Sequence, residues 1–193
     1  MTAGEYASAL AIDAVVPTLV PKPIGWGHYE EGDSHVYFIL SDYHDMNFLP
    51  RGPDPSHFAK KLANLHSRGK SPTGKFGFAL PTALGKFERT VTWEKSRAKC
   101  FTNQLEDVIR YDNEVNGTWP GYDAARTQLI DKVIPRLLGV LQSDGRKIEP
   151  ALIHGDLWKQ NIGIDVTTDE AILFDPGSTY AHNEIEFGTW RCS

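Results

Sequence analysis

Two spacings of apolar residues organise this chain. One recurs about every three to four positions, as on a helix face, and the other about every second position, as along a strand. Gly4 to Ile12 has the helical spacing. Pro17 to Pro23 cannot continue a helix and leads into extended chain. Ile24 to Tyr29 and Val36 to Leu40 read as two strands around the polar turn Glu30-Glu31-Gly32-Asp33-Ser34, and Ser41 to Asn47 is polar and leaves the second strand. Asp54 to Ser67 predicts a helix that Asp54 or Ser56 can cap, with Pro55 suited to its first turn and Gly69 ending it. Phe58, Leu62 and Leu65 share one face, and His66 beside them reads as a packed or hydrogen-bonded histidine, not a ligand.

Ser71 to Gly85, rich in Gly, Pro and Thr, predicts an ordered loop. Trp93 to Tyr111 predicts a helix carrying Phe101, Leu105, Val108 and Ile109. Tyr122 to Gln142 has the strongest helical pattern, with Leu129, Ile130, Val133, Ile134, Leu137, Leu138 and Leu141 on an apolar stripe. Pro135 inside it predicts a kink or break. The layout is a small αβ region up to about residue 46, then a mainly helical region.

At 193 residues, 40% hydrophobic and 11% aromatic, the chain can bury a sizeable core and suits one domain, or one domain with part of another. A net charge of −5, with no basic run longer than Ala59-Lys60-Lys61, argues against a nucleic-acid partner, and that run reads as a solvated helix face. Cys100 and Cys192 lie far apart without a C-x-x-C pattern, which suits a reducing compartment and not a disulfide scaffold or zinc site. Asn116-Gly117-Thr118 matches a glycosylation acceptor, but no signal peptide precedes it and it reads as a turn. No apolar run approaches the roughly eighteen residues that a membrane span needs. A soluble, cytoplasmic protein without a membrane partner is expected.

The chemistry concentrates in residues 151–176, ALIHGDLWKQNIGIDVTTDEAILFDP. Asp156 is followed five residues later by Asn161, the spacing of the kinase catalytic loop. Asp175 follows two short strand-like runs, where kinases keep an Asp that holds Mg²⁺. Phosphoryl transfer needs one carboxylate to orient the attacking hydroxyl and further oxygen ligands for the metal on the phosphates.

Taken together, Gly4-Glu5 with Ser8, Leu62-Ala63-Asn64-Leu65-His66, Gly74-Lys75-Phe76-Gly77-Phe78, Trp93, Leu152 to Trp158, Phe174-Asp175-Pro176, Tyr180 to Glu184 and Glu186 carry a resemblance. The chain resembles the fructosamine/ketosamine 3-kinase family, a branch of the aminoglycoside phosphotransferase-like enzymes. The resemblance implies an α+β, protein-kinase-like two-lobed fold. Residues 1–46 would be a partial N-lobe ending in a hinge, and 47–193 a C-lobe with the catalytic loop but without the C-terminal helices. It implies Asp156 as the base that accepts the proton of a sugar hydroxyl, and Asn161 and Asp175 as Mg²⁺ ligands. His154 would brace the loop. Glu5 would pair with the lysine that grips the phosphates of ATP, and Asp42, Tyr43, His44, Asp45 and Met46 would line the adenine through backbone groups. Trp158 would pack a sugar ring, with ordinary core packing as the alternative.

By that resemblance the activity is ATP-dependent phosphorylation of the 3-hydroxyl of a ketosamine, a fructosamine or ribulosamine on a protein lysine, after which the adduct falls away. Glycated proteins or small ketosamines would be the substrates. The chain departs from the family pattern in three ways. It begins after the glycine-rich phosphate loop and strand lysine, and it stops before the family's C-terminal helices. It also has Lys159-Gln160 where Ser-Gly is usual, which implies backbone strain at Gln160. Open strand edges and an uncovered helical face are therefore expected, and a non-catalytic truncated fragment that binds sugar or metal is the alternative function.

Overall fold

The computed structural model of the chain describes residues 1–32, 34–48, 52–85 and 87–188. Cys192 lies outside them. Helix α1 (Thr2–Val15) leads through buried Val16, Leu19 and Val20 into the hairpin of β1 (Pro23–Glu31) and β2 (Ser34–Ser41). Helix α2 (Pro55–Arg68) starts where expected, with the Asp54 carboxylate accepting from the His57 N–H at 2.8 Å. It buries Phe58, Leu62 and Leu65. These meet Ile12 and Leu19 from the N-terminal segment and Leu152, Leu157, Ile162 and Leu173 from the segment that carries the candidate chemistry, forming one core. The fold is therefore organised around the catalytic-type loop from both sides.

Three antiparallel pairings shape that segment. Strand β6 (Ala151–Ile153) pairs with β9 (Thr179–Ala181), and β7 (Ile162–Asp165) forms a hairpin with β8 (Ala171–Leu173). The short β3 (Met46–Asn47) adds to the outer edge of β7. Strands β4 (Thr82–Leu84) and β5 (Phe87–Arg89) form a further hairpin, which the expected loop over Ser71–Gly85 did not anticipate. Such short strands carry too few residues for a period-two pattern to stand out.

Helix α3 (Arg97–Asn116) starts four residues later than the Trp93 expectation and runs past Tyr111. The Ser96 hydroxyl accepts from the Lys99 N–H at 3.2 Å and sets the start, while Trp93 packs against Tyr180 with ring centroids 5.9 Å apart. The expected break at Pro135 takes the form of a widened turn. Helix α4 (Tyr122–Gln128) passes into a π-helical turn over Leu129–Val133, then α5 (Ile134–Leu137) and a 3-10 turn over Gly139–Gln142. The Ile134 N–H reaches back five residues to Leu129, which accommodates a proline that has no N–H to offer.

The apolar stripe of this region is a largely uncovered helical face, as expected: only Ile134 of its seven residues is buried, and Val133 and Leu137 are 40% and 61% exposed. The β1–β2 hairpin likewise exposes Ile24, Trp26, Tyr29, Tyr37, Phe38 and Leu40. A correction to the sequence reading concerns Gln160. It sits in a short 3-10 turn (Lys159–Asn161), and among the described residues the non-glycine positions with left-handed backbone are Thr18, Asp144, Asp169 and Asp175. Strain falls on Asp175, not on Gln160. Among the described residues no helix is long and apolar enough to cross a membrane.

The turn of the β7–β8 hairpin is knotted by Asp165. One carboxylate oxygen accepts from the N–H groups of Thr167 and Thr168 and from the Thr168 hydroxyl, at 2.8–3.0 Å. The other meets His44 Nδ1 at 2.7 Å. The His44 contact first, then the Thr168 N–H, brings the Asp165 pKa from 3.8 to about 2. A carboxyl whose folded pKa is depressed stabilises the fold above its unfolded pKa and loses that contribution as pH falls toward the folded one. Asp165→Asn is expected to be less stable than the native chain near neutral pH, with the gap closing between pH 4 and about 2. Denaturant titrations across that window check it, and a gap that stays constant would count against the assignment.

Candidate active site

Strand β6, buried throughout, ends at Ile153, and the chain must then turn sharply under a layer of core. Gly155 makes the turn with φ +84°, and a Cβ there would collide with the carbonyl oxygen of Gly177. Only glycine satisfies both conditions. The turn aims two backbone donors inward, and Glu186 receives them: His154 N–H at 2.6 Å and Gly155 N–H at 2.9 Å. His66 Nε2 lies 3.3 Å from the same carboxylate. His66 is thus a hydrogen-bonded histidine, as expected.

The His154 ring is fully buried and its two nitrogens are divided by their partners. Nδ1 accepts from the Asp156 N–H at 3.3 Å, so Nε2 carries the hydrogen and donates to the Phe174 carbonyl at 3.0 Å. Burial holds its pKa below the usual 6.5, which suits a neutral ring in this role. Asn161 closes the loop from the other end. Its Nδ2 donates to the Asp156 carbonyl at 2.9 Å and to Asp156 Oδ2 at 3.0 Å, and its carbonyl accepts from the Phe174 N–H at 3.2 Å. Both side-chain bonds use the amide nitrogen, so Oδ1 stays out of them.

Glu5, Asp156 and Asp175 line one cleft of 250 Å³ together with Met1, Ala83, Gly85 and Pro176. Helix α1 brings Glu5 there because its Gly4 packs directly on the Pro81 carbonyl. Ser8, one turn on, donates to the Gly4 carbonyl at 2.8 Å and accepts from the Ser178 N–H at 3.0 Å. The cleft is electrostatically loaded. Burial raises the pKa of Asp156, opposed chiefly by the Asn161 bond. Burial and then the nearby Asp175 raise that of Glu5.

The expected adenine and sugar positions are not among the residues lining this cleft. Met46 pairs with Asp165 across β3 and β7, the Asp45 carbonyl accepts from the Val166 N–H at 2.9 Å, and the Asp42 N–H donates to Lys22 at 3.0 Å. This segment, with His44 bound to Asp165 and Tyr43 88% exposed, docks on the β7–β8 hairpin and does not line the cleft. Trp158 is half-buried at the start of the 3-10 turn and is also absent from the cleft lining. Arg89 was missed by the sequence reading altogether. It is 7% exposed beside the loop, and nothing in the run Phe87-Glu88-Arg89 distinguishes it from a surface arginine.

The fructosamine kinase family model matches residues 1–192. The chain belongs to the fructosamine kinase family. The protein-ribulosamine 3-kinase of Arabidopsis thaliana, a chloroplastic protein, is 30% identical over 189 residues, covering 96% of this chain and 54% of that one. The same-named protein of Oryza sativa subsp. japonica is 31% identical, with 96% and 51% covered. The ketosamine-3-kinase of Mus musculus is 29% identical, with 96% and 63% covered. The chain spans about half the length of the plant relatives it matches. Solved structures of proteins assigned as fructosamine-3-kinases, from Haemophilus somnus and Thermobifida fusca, superpose with a TM-score of 0.70 each, at 20% and 23% identity. They cover 98% and 96% of this chain, and it covers 58% and 57% of theirs. The fold is thus the α+β, kinase-like fold that the resemblance implied.

Glu186→Ala would leave the His154 and Gly155 N–H groups buried without an acceptor, and a loss of roughly 3 kcal/mol is expected. Glu186→Gln, which keeps an acceptor oxygen, should lose less. Denaturant midpoints of the two variants check the order, and equal losses would show that the acceptor is not what matters.

Proposed function

We propose that the cleft transfers the γ-phosphoryl group of ATP to the 3-hydroxyl of a ketosamine, a fructosamine or ribulosamine carried on a lysine amine. The observation that supports this reading most is the junction of Asp156, Asn161 and Asp175 beside one cleft, in a chain of the fructosamine kinase family. The names of the plant and mouse relatives point to the same acceptor class.

Each residue then has a task that its surroundings suit. Asp156 Oδ2 is occupied by Asn161, which orients the carboxylate to accept the proton of the attacking hydroxyl as its oxygen bonds to phosphorus. The bond from the γ-phosphorus to the β,γ-bridging oxygen breaks, and ADP leaves with that oxygen. Asn161 and Asp175 would hold Mg²⁺ through Oδ1 and the carboxylate, both hard oxygen donors. Among the described residues there is no group of three or more His, Cys, Asp or Glu that could hold a metal alone. That fits magnesium, which takes one or two protein oxygens and completes its shell with phosphate and water. When bound, the ion would neutralise charge on the phosphates.

His154 ties the base loop to Phe174, next to Asp175, and so braces the two against each other. Glu5 is read as the carboxylate that positions a cationic group on the nucleotide phosphates. The segment from Asp42 to Met46 is read as the hinge that meets adenine, dividing a lobe of residues 1–46 from one of 47–193. Trp158 is read as an aromatic platform for the sugar. Phosphorylation at the 3-position makes the adduct labile, and its loss frees the amine, so glycated proteins or small ketosamines are the substrates.

With ATP·Mg²⁺ and a fructosamine or ribulosamine lysine peptide, the full chain is expected to form the 3-phosphate. Asp156→Asn should lower kcat by about 10²- to 10⁴-fold while ATP still binds. Asp175→Ala should instead abolish the magnesium dependence of ATP binding, read by calorimetry with and without the ion. Turnover undiminished in Asp156→Asn would sink the assignment of the base.

A further inference from the structure

The buried guanidinium of Arg89 has no use in the reading above, yet it lies against both chemistry-bearing loops. Its Nη2 donates to the Gly177 carbonyl, two residues past Asp175, and to the Thr82 hydroxyl at 3.0 Å. A Cβ added at Gly155, next to Asp156, would sit 3.3 Å from that nitrogen, and one at Gly177 would sit 3.1 Å away. The Gly155 Cβ would also run into the Gly177 carbonyl, and the Gly177 Cβ would come within 2.7 Å of the Ala83 carbonyl. Three strands of backbone therefore converge on one cationic group. Each is adjacent to a residue lining the cleft: Asp156, Pro176 and Ala83.

An arginine is a costly choice for mere filling. Burial lowers its pKa to about 10, so it stays charged at neutral pH, and its Nε has no partner among the described residues. Its charge is opposed by burial and favoured chiefly by the nearby Asp156 carboxylate. Replacing Arg89 alone by an apolar side chain would leave the Gly177 carbonyl and the Thr82 hydroxyl without this donor, at a cost to the fold. What an apolar side chain cannot do is donate in a fixed plane to one loop while holding the other at contact distance.

We propose that Arg89 is a positioning residue for phosphoryl transfer, a cationic bolt from β5 that fixes the separation of the Asp156 loop from the Asp175 loop. The proposal rests on the function proposed for the cleft. Arg89 touches neither substrate nor phosphate in this role. It acts through the Gly155 and Gly177 backbone, so its loss should slow the chemical step more than it weakens binding.

The test compares Arg89→Met and Arg89→Lys with the native full chain. For Arg89→Met, kcat is expected to fall by about 100-fold, the scale of a displacement near 1 Å, with the KM values for ATP and for the ketosamine peptide within about threefold of native. Arg89→Lys, which keeps the charge but not the planar fork, should recover part of that loss and stay below native kcat. Hydrogen exchange in the absence of nucleotide gives an independent readout. Amides of 154–157 and 175–178 should exchange faster in Arg89→Met, while those of α3 keep their protection. Unchanged kcat, a rise in KM alone, or faster exchange spread evenly over the chain would each overturn the proposal. If Arg89→Met does not fold, Arg89→Lys with native exchange and native kcat would overturn it equally. A native chain that transfers no phosphoryl group would defeat the proposed function. The exchange result would still decide whether Arg89 couples the two loops.

Discussion

The Glu186 carboxylate, buried and accepting from consecutive backbone N–H groups of His154 and Gly155, is the constraint on which the site depends. A sharp turn in a core leaves donors that neither a helix nor a strand can satisfy, and each would be expensive unpaired. One carboxylate supplies both acceptors. It thereby fixes the direction in which Asp156 leaves the turn. His66 binds the same carboxylate from α2, so the main helix of the core and the catalytic-type loop share one anchor. His154 then carries the order across to Phe174, and Asn161 returns it to Asp156.

The charges are distributed in a way that this scaffold makes tolerable. Three carboxylates face a cleft, while the counter-charge at its back, Arg89, is buried and spread over a planar group. The histidine beside them is held neutral by burial, which avoids a second buried cation. Left-handed backbone at Asp175 completes the picture: strain is concentrated at a cleft residue whose neighbours on both sides are tied down. That is where strain is usually tolerated in functional sites.

Much of the local structure was legible along the chain. Helix α2 announced itself by its cap at Asp54, its proline and its apolar face, because these are contacts between near neighbours. The β1–β2 hairpin and the break at Pro135 were legible for the same reason. The strongest apolar stripe located a helical region without showing which of its residues are covered, since a periodic face shows only that a helix can bury it. Arg89 was invisible, because its burial is decided by Thr82, Gly155 and Gly177, which are distant or unremarkable in sequence.

The sequence by itself determined which chemical groups stand at kinase-like spacing, from His154-Gly155-Asp156 through Asn161 to Asp175, and which family carries them. Spacing within one short segment is a local property and survives without knowledge of the fold. Only the tertiary structure decided that Glu5 enters the same cleft, that Glu186 and His66 hold the turn, and that a buried arginine joins the two loops. Neither Trp158 nor the Asp42–Met46 segment is among the residues lining that cleft. These outcomes depend on packing between residues up to 170 positions apart, as in the Ser8–Ser178 bond, and no local pattern encodes such a distance.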